Sequence, residues 1–260
     1  MENNFKNKII TLSGAPGAGK STVMRRIKEK YIEQGYLEEN IHIIKVGDTF
    51  RQIALEKIQS KYPDAKNITI AQINSDPKFE KDRDEFDKQL DSYIAKKGKE
   101  INSKYRPDDV YLIDSRLAWY NIPDSFSVRL TINSSCAGER IFNDSQRGSE
   151  DKYKTVEEAI EASQNRKQNE IIRYRETYGI ELENPDNYDL IIDTSYSDVL
   201  EISDLIMQCE ELYEQDKKFP KTWASPKIFL PAQSLRETME PQTLGSETLM
   251  EIKDEFKGNR

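Results

Sequence analysis

The chain has 260 residues and a formal net charge of −8, from 39 Lys+Arg against 47 Asp+Glu. That length allows one large α/β domain, or a domain with an appendage, around a substantial core. The acidic balance argues against nonspecific wrapping of a nucleic-acid backbone and leaves phosphate binding to local basic pockets. No apolar run approaches the roughly 18 residues of a spanning helix, and MENNFKNKII lacks the apolar stretch of a secretory signal, so a cytoplasmic protein is expected.

KIITLS reads as a short buried strand, and GAPGAGKST (14–22) follows it directly. Helical spacing then runs through Val23, Ile27 and Tyr31 and ends near Gln34 and Gly35. IHIIKV is a second strand. It contains His42, the only histidine in the chain, for which a structural role is expected. A helix is expected from about Asp48, which can cap it, with Phe50, Ile53, Ala54 and Ile58 on one side. Residues 61–78 carry two prolines and read as a loop. FEKDRDEFDKQLDSYIAKKG places Phe79, Phe86, Leu90, Tyr93 and Ile94 on one helical stripe, with Gly98 expected just past its end.

VYLID, FSVRLTI and YDLIID are three further strands, each followed by a helical pattern. Strands alternating with helices predict a parallel sheet covered on both faces. Cys136 and Cys209 lie far apart in helical segments, which suggests small core residues rather than a disulfide or zinc site. After a helix from Asp198 to about Gln215 the texture changes. The remainder holds four of the ten prolines and has no clear period, so 1–215 is expected to be the domain and 216–260 an irregular appendage. Within that appendage Trp223, Ile228, Phe229 and Leu230 are expected to pack on the body or on a partner.

Residues 14–21 fit G-x-x-x-x-G-K-[ST] through Gly14, Gly19, Lys20 and Ser21, between a strand and a helix. Glycines admit backbone conformations closed to other residues, so successive N–H groups can turn inward beside the positive helix end. Gly14, Ala15, Pro16, Gly17, Ala18, Gly19, Lys20, Ser21 and Thr22 form the candidate cradle for ATP. Lys20 can reach the β- and γ-phosphates, and the Ser21 hydroxyl can ligate Mg2+. Such a loop alone does not distinguish switches, ATPases and small-molecule kinases.

The second site must come from elsewhere in the chain. Arg51 follows the second strand, where it either holds a second phosphate or pairs with Asp48 or Glu56 on the surface. Asp114 ends the VYLID strand, either as a partner for magnesium-bound water or as a strand-end cap. Arg116 either points to the cleft or sits in a loop ion pair. Arg166 and Arg173 fall on one helical face, two turns or roughly 10 Å apart, with Glu170 and Glu176 available as ion-pair partners.

GAPGAGKST, VGDTFR, RDEFDKQLD, IDSRLAWY, ERIFNDSQRG and NRKQNEIIRYRETYGIELENPDNYDLIIDTS, in that order from residue 8 to about 210, resemble the archaeal-type cytidylate kinases, a branch of the P-loop nucleoside monophosphate kinases. The resemblance implies a five-stranded parallel sheet flanked by helices, a helical acceptor-binding region and a mobile lid, placed here at about 141–155. It implies that Arg51 and Arg116 hold the acceptor phosphate, and that Arg140, Arg147, Arg166 and Arg173 are lid or lid-flanking arginines. Asp84, Asp87 and Trp119 are candidates for reading base or sugar. Lys20, Arg116, Arg147 and Arg173 are the candidate catalytic groups, with Ser21 and Asp114 at the metal. Two departures stand out: Ser115 replaces the usual glycine after the acidic residue, and RKQNE replaces a more acidic segment.

The activity so implied is transfer of a phosphoryl group from ATP, with Mg2+, to a nucleoside monophosphate, CMP or dCMP first. The alternatives are a kinase for a modified nucleotide or a modified base in DNA, and a nucleotide-binding regulatory protein without turnover. A small-molecule nucleotide is the expected partner. Base and sugar preference and oligomeric state are not legible.

Overall fold

The computed structural model describes residues 7–62, 77–144 and 153–224. Apolar runs supply the strands β1 (Lys8–Gly14), β2 (Ile41–Lys45), β3 (Val110–Asp114), β4 (Phe126–Thr131), β5 (Leu190–Asp193) and β6 (Thr222–Ala224). They pair side by side in the order β2-β3-β1-β4-β5-β6, and every pairing is parallel. Between them lie the helices α1 (Lys20–Glu33), α2 (Val46–Lys61), α3 (Glu80–Asn102), α4 (Ala118–Asn121), α5 (Ser134–Asn143), α6 (Val156–Tyr178) and α7 (Val199–Glu214).

Strand side chains alternate between two cores, as a period of two requires. Ile10, Leu12, Val110 and Leu112 face one side and pack with Met24 and Ile27 of α1 and Ile202, Leu205 and Ile206 of α7. Ile9, Tyr111 and Ile113 face the other side and meet Ile94 and Ile101 of α3 and Ile122 beyond α4. Burying each such aliphatic side chain contributes about 1.5–3 kcal/mol. Because all strands run the same way, their carboxyl ends (Gly14, Lys45, Asp114, Thr131 and Asp193) share one edge, where ligands bind in open α/β sheets.

The sheet differs from the five-stranded expectation by one strand, and that strand comes from the segment read as irregular. Thr222–Ala224 pairs with Ile191–Asp193, and Trp223 is buried in the larger core. A three-residue strand is too short to display a period in sequence. Ile228, Phe229 and Leu230 lie outside the described residues.

Helix boundaries also moved. α2 starts at Val46, so Asp48 is not its cap. α3 continues through Gly98 to Asn102; a Cβ at Gly98 would stand 2.8 Å from Ile122 Cγ1, so that glycine serves close packing instead of ending the helix. Tyr93, assigned to the apolar stripe, is exposed. His42 has the structural surroundings expected of it, with its ring stacked on Tyr111 and Nε2 3.2 Å from Asp109. Cys209 is buried, and Cys136 is half-buried in the first turn of α5.

One packing contact sets where the arginine-rich helix lies. α5 and α6 meet at Gly138, where a Cβ would come within 2.2 Å of Ile160 Cγ1 and 3.1 Å of its backbone nitrogen. Gly138→Ala is therefore expected to overpack this contact and destabilise the protein by about 1–3 kcal/mol, read as a lower urea midpoint. An unchanged midpoint would show that Ile160 yields without cost.

Candidate active site

β1 delivers the chain into the loop at Gly14, where φ is +150° and a Cβ would lie 2.3 Å from the Leu130 carbonyl oxygen. Only glycine lets the loop pass that close to β4. Gly19 adopts the left-handed conformation and caps α1, the amides of Thr22 and Val23 already donating to its carbonyl. No side chain caps this helix and its first turn holds no acidic residue, so the amino end favours an anion.

Lys20 opens α1 and folds back over the loop. Its Nζ donates to the Gly14 carbonyl at 2.9 Å and lies 3.9 Å from Asp114 Oδ1. Burial pulls this ammonium down to about 8; Asp114 pushes it up, and Arg116 adds to the depression. A lysine held this way gains from a polyanion that restores its charge.

Arg116 is the junction between loop and helix. Nη1 donates to the Gly14 carbonyl, Nε to Glu170 Oε2 at 2.7 Å and Nη2 to Glu170 Oε1 at 3.4 Å. Arg166 Nε also reaches Glu170 Oε1, at 3.2 Å. Burial raises the Glu170 carboxyl, but Arg116 and Arg166, with Arg173 beyond them, outweigh it and hold the group at about 2. The same carboxylate lifts the Arg116 guanidinium above its ordinary value despite burial. Beneath these charges Leu117, Tyr174, Ile180 and Leu182 form a small core that fixes α6 against the turn after β3.

The candidate residues thus divide. Lys20, Asp114, Arg116 and Arg166 come together around the loop. Arg173 sits one turn past Glu170 on α6, its guanidinium 5.1 Å from the Tyr174 ring centroid. Arg140 braces backbone: it donates to the carbonyls of Gly17 (3.3 Å), Thr194 (2.6 Å) and Ser195 (3.3 Å), tying the phosphate loop to the turn after β5. Trp119 stands behind Arg116, its Nε1 donating to the Arg116 carbonyl at 3.1 Å, while its ring meets Tyr188 edge-on. That ring lines a cavity with Ser127, Tyr188 and Tyr213 near the amino ends of β4 and β5, at the end of the sheet opposite the loop. Ser115 accepts from the Leu117 amide at 3.4 Å.

Arg51 belongs to α2, and Asp84 and Asp87 to α3, but their side chains lie outside the described residues, as does Arg147 with the middle of the segment read as a lid. Sequence reasoning named Glu170 only as an available ion-pair partner for the arginines of its own helix. Its spacing to Arg166 and Arg173 was visible on one helix, whereas its bond to Arg116 spans 54 residues and needed the fold.

Among the described residues no cluster of three or more metal-ligating side chains occurs. One carboxylate, Asp114, and one hydroxyl, Ser21, suit Mg2+, which keeps most of its waters and takes phosphate oxygens as its other ligands. No helix among the described residues is long and apolar enough to cross a membrane.

A model of the cytidylate kinase-like family matches residues 9–196. An S-adenosylmethionine-dependent nucleotide dehydratase of Lacinutrix mariniflava is 31% identical over 81% of this chain, which spans only 37% of that protein's length. A cytidylate kinase of Methanocella arvoryzae is 29% identical over 77% of this chain and 95% of its own length. The crystal structure of an uncharacterized protein from Eubacterium ventriosum superposes with a TM-score of 0.51 at 15% identity, covering 79% of this chain and 99% of that one, a likeness of fold alone.

The depressed Lys20 gives a pH test. The ammonium is charged below about 8 and loses its proton above it, so ATP binding at pH 8 is expected to take up protons, and affinity to fall as pH rises further. Calorimetry in two buffers of different protonation enthalpy reads the uptake, with Lys20→Ala as the blank. Equal heats in both buffers would count against a depressed lysine.

Proposed function

This chain belongs to the cytidylate kinase-like family, and from that premise we propose that it transfers the γ-phosphoryl group of ATP to the phosphate of a nucleoside monophosphate, CMP or dCMP first, in the cytoplasm. The observation that carries the reading is Arg116: a half-buried guanidinium bonded to the loop carbonyl of Gly14 and to Glu170 of the arginine-bearing helix.

The acceptor phosphate already bears a nucleophilic oxygen, so no enzyme nucleophile is required. That oxygen bonds to the γ-phosphorus as the bond to the β-phosphate oxygen breaks, and ADP leaves with the electron pair. The protein's work is to align two anions, offset their repulsion and exclude water. In this reading the loop amides and Lys20 hold the triphosphate, and Arg116 with Arg51 holds the acceptor phosphate. Arg166, Arg173 and Arg147 face the transferring group, and Arg140 keeps the loop in shape. Asp84 and Asp87 remain the candidates near base and sugar, while Trp119, whose indole N–H donates to the Arg116 carbonyl, braces the turn that carries Arg116. Ser21 and Asp114 would hold Mg2+, which would supply neutralisation of phosphate charge.

A second reading, a kinase for a modified nucleotide, draws support from the likeness to part of a nucleotide dehydratase. A panel of CMP, dCMP, UMP, modified monophosphates and DNA separates these possibilities through ADP formation, with Lys20→Ala as the blank. Turnover with CMP or dCMP supports the first reading, and labelling of DNA alone overturns it. ATP binding without acceptor-dependent ADP release would indicate a regulatory protein.

Two variants test the assignments. Arg116→Ala is expected to lower kcat/KM for the acceptor by about 100-fold or more, the cost of losing one preorganised charge donor. Arg147→Ala, in the segment proposed as lid, is expected to lower kcat more than ATP affinity. Steady-state kinetics with each substrate varied reads both, and unchanged turnover rejects the residue concerned.

A further inference from the structure

Arginine offers five N–H groups, and the bonds of Arg116 show how they are shared. The Nε–H goes to Glu170 Oε2, one Nη2–H to Glu170 Oε1 and one Nη1–H to the Gly14 carbonyl. One N–H remains on each terminal nitrogen for a further acceptor, while the carboxylate holds the edge formed by Nε and Nη2. Glu170 is itself enclosed, with its side chain 15% exposed, and it is anchored twice, once by Arg116 from the β3 turn and once by Arg166 one turn earlier on its own helix. A carboxylate bonded to two nitrogens along one edge fixes the plane and direction of the guanidinium.

We propose that Glu170 is a positioning residue for phosphoryl transfer, holding Arg116 and Arg166 aimed into the space between the two nucleotides throughout the reaction. This inference rests on the phosphoryl-transfer reading above. Preorganisation of this kind acts on the transition state more than on ground-state binding, because a misdirected guanidinium still attracts an anion but no longer meets the charge where it develops.

The test uses the full chain with ATP and CMP. Glu170→Gln keeps the size and removes the charge, and it is expected to lower kcat about 10–100-fold with the KM for ATP within about threefold, the range over which small misplacements act. Glu170→Asp, which keeps the charge, is expected to recover part of that loss. Placed in an Arg116→Ala background, Glu170→Gln is expected to cost several-fold less than in wild type, the remainder being its hold on Arg166, since groups acting as one unit are not additive. Full additivity, or a kcat for Glu170→Gln equal to wild type, overturns the inference.

Should the variant fold poorly, wild-type protein answers through NMR of the Arg116 Nε–H. A signal that stays in place when CMP and a non-hydrolysable ATP analogue bind supports a permanent bond to Glu170. Its loss on binding means that the carboxylate is released, and overturns the proposal. Wild-type protein inert toward every monophosphate overturns the functional reading together with this inference, whereas active wild-type protein with an unaffected Glu170→Gln overturns the inference alone.

Discussion

The site depends on one shared guanidinium. Arg116 bonds at once to the carbonyl that begins the phosphate loop and to a carboxylate on the long arginine-bearing helix. It therefore couples the position of α6 to that of the loop. Breaking a buried pair by removing one partner costs about 3–5 kcal/mol, because the other charge is left uncompensated. The bond thus fixes geometry as well as contributing charge, and in a protein with a net charge of −8 it gathers Lys20, Arg116 and Arg166 beside the loop.

Packing places that guanidinium. Gly14 lets the loop run against β4, Gly138 lets α6 approach α5, and the cluster of Leu117, Tyr174, Ile180 and Leu182 seats the helix against the turn that carries Arg116. Trp119 closes the rear, its indole N–H donating to the Arg116 carbonyl. The loop is held from its far side by Arg140 and by Thr194, whose hydroxyl donates to the carbonyls of Ala18 and Thr131. Rigid support around a few charges is what electrostatic preorganisation requires.

Relatives of two kinds share this frame: cytidylate kinases that the chain matches over nearly their whole length, and a nucleotide dehydratase of which it spans 37%. The phosphate machinery is common ground for nucleotide chemistry of several types. What differs between acceptors must be read by groups outside the phosphate loop.

Local sequence determined the parts whose physics is local. An apolar run makes a buried strand, a glycine pattern between strand and helix makes an anion cradle, and helical spacing put Arg166, Glu170 and Arg173 on one face. The core strands, the loop, α1 and α7 were legible for that reason. Long-range packing decided the rest. It recruited Thr222–Ala224 as a sixth strand, carried α3 through Gly98, turned Trp119 behind Arg116, and gave Arg140 to backbone carbonyls. Above all it brought Glu170 to Arg116 across 54 residues, a pairing set by where two separate elements come to rest on the sheet, which no spacing along the chain encodes.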